Sequence, residues 1–276
     1  MRKLLRADFA RLFRDRVFWI AMALMLLVGV MFPVLHYIDM RVNGAVWTPD
    51  DSFFGYTLYI PVLVSVLTAL FVGCEYSDGT MRNKVMVGHR RFHIYLAGLA
   101  VCMAAGLLLC VAYMVPHTLL ARILVGRFSS APLLLLRYIG LNIAVVAALV
   151  SLFVPIAMLC HNRAYATAIS LLLAFALLIV GIGIMSALNE PEYYPGYSYT
   201  EGGVTTGESE TPNPNYVGGF KRQVYGFLND FLPGGQIFQL AGMNAEKPLT
   251  ILLCDLAIVL AATGVGVLLF RRKNLK

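Results

Sequence analysis

Few side chains in this 276-residue sequence have the types and spacing that bond chemistry requires. There is no Gly-x-x-x-x-Gly-Lys-Ser/Thr loop to cradle phosphate, no His-Glu-x-x-His pair to hold zinc and no Gly-x-Ser-x-Gly nucleophile elbow. The five cysteines, Cys74, Cys102, Cys110, Cys160 and Cys254, lie in or beside apolar runs without a Cys-x-x-Cys pair, as small apolar fillers do. No catalytic residue, metal site or cofactor is therefore expected in this chain. One acid, Asp255, lies deep in an apolar run, but the series of intramembrane acids that an ion-driven carrier uses is missing.

The chemistry that remains is recognition. Glu75 to Arg91 is polar and basic, about one helix long, and sits between two apolar runs of some twenty residues, so it must lie in water at one face of a membrane. Gly79 and Thr80 suit the start of a short helix, with Thr80 as N-cap, and Gly88 suits its left-handed end. Within it Met81 and Val85 share a face at i, i+4, while Arg82, Asn83 and Lys84 point elsewhere. Such a helix fits a docking surface, and equally a loop whose basic residues only set topology.

The elements that position this stretch follow from composition. With 59% apolar and 13% charged residues and a mean hydropathy of +0.74, the chain reads as an all-α integral membrane protein. The net charge of +7 does not form one continuous stripe, which argues against nucleic acid as a partner. One transmembrane domain is expected over 1–276, opening with an amphipathic helix (1–16) whose arginines face anionic lipid. Six spans follow at 17–38, 55–74, 94–115, 133–159, 164–188 and 249–270, the third ended or kinked by Pro116. Apolar residues in the sixth outweigh the insertion cost of Asp255, about 2.5–3.5 kcal/mol.

Between the fifth and sixth spans, 189–248 splits in two. The first half reads as a mobile solvent loop carrying Tyr193, Tyr194, Tyr197 and Tyr199. The second reads as two half-buried helices broken at Pro233-Gly234-Gly235. Fifteen of the 22 lysines and arginines fall in 1–16, 75–93, Arg163 and the tail 271–276, which predicts both termini in the cytoplasm.

This order of elements resembles the membrane subunit of an ABC-2 type (type V exporter-like) transporter: basic elbow helix, six spans, re-entrant half-helices before the last, basic tail. Glu75-Tyr76, Gly79-Thr80, Arg82-Asn83-Lys84, Gly88 and Arg91 resemble the first cytoplasmic loop of bacitracin- and lantibiotic-exporter permeases, and Phe231-Leu232-Pro233-Gly234-Gly235-Gln236 resembles a segment before their last span. The resemblance implies a bacterial plasma-membrane permease that exports a peptide antibiotic, lipid or hydrophobic drug, paired with a second permease, identical or homologous, and with two cytoplasmic ATPases that bind ATP and Mg. It implies docking of the ATPase on a coupling helix made by Gly79, Thr80, Met81, Arg82, Asn83, Lys84, Val85, Gly88 and Arg91. Glu75, Pro233, Gly234, Gly235 and Asp255 become candidates for gating or the substrate path. An ion-gradient carrier centred on Asp255 and a non-transporting membrane anchor or sensor are the alternatives.

Overall fold

The computed structural model describes residues 1–196, 198–201, 204–207 and 210–273. Six helices are long and apolar enough to cross a membrane: α2 (Arg16–Val42), α4 (Ile60–Ser77), α6 (Arg91–Leu124), α7 (Pro132–Leu159), α8 (Arg163–Asn189) and α11 (Pro248–Arg272). Five shorter helices join them: α1 (Arg2–Leu12), α3 (Asp50–Phe53), α5 (Thr80–Met86), α9 (Gly219–Phe231) and α10 (Pro233–Ala241). Short turns make α7 and α8 antiparallel neighbours, and polar side chains start two of the long helices. Asp15 accepts the Val17 N–H at 2.8 Å and Asn162 accepts that of Ala164 at 2.8 Å, each satisfying a donor that a helix start leaves free.

α4, α6 and α7 form the centre, where Val64, Phe71, Val101, Leu109, Val150 and Phe153 are buried. α2, α8 and α11 lie outside them and show apolar faces outward, including Trp19, Leu27, Leu172, Ile179, Leu253 and Leu260. In water such faces would be a liability; against hydrocarbon they are the expected surface.

Several elements depart from the sequence reading. α6 does not stop at Pro116 but continues to Leu124, since a membrane helix tolerates a proline when its neighbours re-satisfy the freed carbonyl. α2 runs to Val42, four residues past the expected end of the first span at residue 38. Pro233-Gly234-Gly235 is not the turn between the half-helices. The chain breaks at Leu232, and Pro233 opens α10 at its first position, where a missing N–H costs nothing. The presumed solvent loop holds paired strands, Tyr193–Tyr194 with Thr211–Pro212 and Ser198–Glu201 with Val204–Gly207. Tyr193 and Tyr194 are exposed; Tyr197 lies outside the described residues, as do Asn274, Leu275 and Lys276 of the tail.

The α9–α10 hairpin is re-entrant because glycine lets it come close. A Cβ at Gly234 would stand 1.9 Å from the Leu177 carbonyl oxygen, and one at Gly181 would stand 2.3 Å from that of Gly234. Backbone therefore meets backbone midway along α8. Gly183, two residues on, faces open space. Gly234→Ala should lower stability by about 1–3 kcal/mol through overpacking, seen as a reduced melting temperature in detergent, whereas Gly183→Ala should leave it unchanged.

Candidate functional site

One end of the bundle gathers α1, α5, the end of α4, the start of α6 and the end of α11. α5 begins after Gly79, whose φ of +68° is left-handed, and ends before Gly88 at φ +93°. Thr80 is not the N-cap. It is the first helical residue, and its hydroxyl donates to the Glu75 carbonyl at 3.2 Å.

Lys84 faces inward. Its Nζ donates to Asp8 Oδ1 of α1 at 2.7 Å and to Glu75 Oε1 of α4 at 2.6 Å. The Arg11 guanidinium pairs with that same Glu75 oxygen, donates to the Phe71 carbonyl at 3.2 Å and lies over the Phe71 ring at 3.9 Å. The Asp8 and Glu75 side chains are only 4% and 5% exposed. Charges this deep need partners, and here two cations and two carboxylates neutralise each other.

The docking face drawn from sequence therefore changes. Met81 is 1% exposed and packs into this chain's own core, and Val85 is half-buried against it. Neither Met81 nor Lys84 is presented outward. The exposed side of α5 is Arg82, Asn83, Met86 and Val87, followed by Gly88 and Arg90. Arg91 is engaged too: its Nη1 donates to the carbonyls of Phe270, Arg271 and Lys273 at 3.3, 2.9 and 2.5 Å. It thus satisfies the free carbonyls at the end of α11 with a favourable charge.

Next to it, Lys273 Nζ donates to the carbonyls of Met158 and Cys160 at 2.9 and 3.3 Å and stands 3.9 Å from the Tyr76 ring centroid. The Tyr76 hydroxyl donates to that same Met158 carbonyl. Burial pulls Lys273 down to about 8.

At the opposite end α9, α10 and α11 surround a cleft of about 1240 Å³ lined by Asn189, Gln223, Asn229, Asp230, Gln239 and Lys247 among others. Gln236 Nε2 donates to the Asp230 carbonyl at 2.8 Å, and Gln239 Nε2 to the Asn229 carbonyl at 2.9 Å, stapling the two half-helices. Thr57 donates to the Ile237 carbonyl at 3.3 Å. Pro233, Gly234 and Gly235 are buried in this hairpin. Asp255 is 1% exposed, and among the described residues neither of its carboxylate oxygens has a hydrogen-bond partner.

A family pattern described as "ABC-2 family transporter protein" matches residues 4–181, more than half of the sequence. The chain belongs to the ABC-2 transporter family. A search of curated proteins finds no match. The match spans α1 to most of α8, so the Asp8–Lys84–Glu75–Arg11 cluster lies within the ABC-2 region, and α9 to α11 lie beyond it. This ABC-2 protein is a multi-pass transporter membrane subunit that does no catalysis itself.

Sequence reasoning missed Asp8 as a functional partner, although a signal was there. Leu4, Asp8 and Leu12 recur at i, i+4, which puts an acid on the apolar stripe of a basic helix. The carboxamide-lined cleft has no such signal, because its residues come from four separated segments.

Lys84→Met strands Asp8 without a partner and should cost about 3 kcal/mol or more, read as a lowered melting temperature. Adding Asp8→Asn should recover most of it. Because the Lys273 ammonium gives up its proton more readily folded than unfolded, the unfolded chain binds more protons between about 8 and the ordinary lysine value. Stability should rise with pH across that window, while below it the cost of holding the charge is present in full. Lys273→Met should flatten this slope in thermal unfolding measured from pH 7 to 10.

Proposed function

We propose that this chain is half of an ATP-driven exporter, with ATP and Mg bound by a separate cytoplasmic ATPase that docks on α5. The observation that carries this reading is the bare outer face of α5, with Met86 65% and Val87 77% exposed beside Arg82, on a helix whose inner face is pinned to α1 and α4. An apolar knob rimmed by cations suits a hollow edged by acids on a partner, and a pinned helix transmits a push instead of yielding to it. The excess of lysine and arginine at this end supports a cytoplasmic position in a bacterial plasma membrane, with both termini inside.

Two ATPases would act on two permeases. The outward apolar faces of α8 and α11, where Gly183 and Gly264 meet no neighbour, support approach of a second permease, identical or homologous. The cleft beside the re-entrant hairpin, with Glu75 at the driven end and Gly234, Gly235 and Asp255 near the other, supports a path for a peptide antibiotic, lipid or hydrophobic drug.

Val87→Asp should abolish co-purification of the ATPase with this chain from its native host, by tenfold or more, with insertion unchanged, because it desolvates a charge in the contact. A complex that assembles normally with Met86→Asp and Val87→Asp together overturns the docking assignment. Transport that survives loss of the ATPase but not Asp255→Asn would establish an ion-driven carrier instead.

A further inference from the structure

The same end of the bundle that carries the re-entrant hairpin has a second hollow, on the outside of the helices. It measures about 450 Å³ and is lined by Arg137, Gly140 and Leu141 of α7 and by Pro248, Leu249 and Leu252 of α11. We infer that this hollow is a binding site for one phospholipid, with its phosphate on Arg137 and an acyl chain laid along Gly140 and Leu252.

Four observations lead there. Arg137 is exposed, and among the described residues it makes no ion pair and donates no hydrogen bond, which leaves the guanidinium's donors free. Arg137 lies five residues into α7, about 8 Å at 1.5 Å per residue, so its charge stands near the membrane boundary where headgroup phosphates lie. Gly140 is one turn deeper, and a Cβ there would meet nothing within 4 Å: the groove is left unfilled in a segment otherwise rich in leucine. The surface, finally, is apolar and bare: Leu249 of the lining is 74% exposed, and Leu133, Leu136 and Leu253 on the same two helices are each more than 60% exposed.

A groove that opens between such residues faces hydrocarbon, and the molecule at hand there is a lipid. A fork of guanidinium N–H groups matches two phosphate oxygens in a way that no other lining residue does. No carboxylate lines the hollow, so Arg137 has an anion only if the occupant brings one.

The test uses the full chain in nanodiscs of phosphatidylglycerol and phosphatidylethanolamine, released into mild detergent and weighed intact by native mass spectrometry. The wild type should retain one phospholipid per chain after extensive washing. Arg137→Ala and Gly140→Leu should each reduce that retention at least tenfold, and Arg137→Lys should restore part of it. Gly140→Leu fills open space and should keep the wild-type melting temperature, so its loss of lipid would report occupancy of the groove. Equal retention in both variants overturns the proposal, as does loss in Arg137→Ala alone, which would mean a headgroup contact without a chain in the groove. A dimer that forms when lipid is stripped, and that Gly140→Leu prevents, would assign the hollow to a second copy and overturn it as well.

Discussion

A single ammonium shared by two buried carboxylates holds one end of this molecule together. Lys84 joins Asp8 and Glu75, which are 76 and 9 residues away in sequence, and Arg11 closes the cluster from α1. In water such pairs contribute little, whereas in a desolvated pocket each charge depends on the others, because losing one partner strands the rest. The arrangement therefore acts less as a source of stability than as a condition on geometry: α1, α4 and α5 keep their mutual positions or the cluster pays a large desolvation cost. Arg91 and Lys273 extend the logic to α6, α7 and α11 by using backbone carbonyls as acceptors.

The other end is held by different chemistry. There the contacts are glycine backbone against α8 and glutamine amides across α9 and α10, with no ion pair among the described residues. Neutral contacts of this kind cost less to break than a buried ion pair does, because an unpaired amide is cheaper to leave than an unpaired charge. A molecule with one ionically fixed end and one amide-lined, glycine-packed end is mechanically asymmetric.

The spans were legible because an apolar run of about twenty residues has a single low-energy solution in a bilayer. The re-entrant pair was also visible, in its aromatic and aliphatic residues around Pro233, but its break was misplaced, since proline at a helix start and proline in a turn look alike in sequence. Met81 illustrates a deeper limit. The i, i+4 pattern with Val85 identified the apolar face of α5 correctly, yet periodicity says which face is apolar and not whose atoms cover it. Here the cover is this chain's own core, and the exposed side is the less regular Arg82, Met86 and Val87. Asp8 was readable in principle, as an acid on an apolar stripe, but its partner lies far along the chain and pairing at that range has no local signature.

α6 has a further consequence. Its 34 residues amount to about 51 Å at 1.5 Å per residue, against about 30 Å of hydrocarbon, so this helix is a strut that outreaches the membrane. Its first residue grips the end of α11 through Arg91, and 26 residues later His117 Nε2 meets the Ser52 hydroxyl at 2.8 Å. A rod held at these two points moves by tilt and slide, and the missing N–H of Pro116 leaves a gap in its hydrogen-bond ladder where bending is easiest. Displacement imposed at the Arg91 end is thus carried along the rod as far as Pro116, and whatever bending the molecule needs is concentrated there, beside His117.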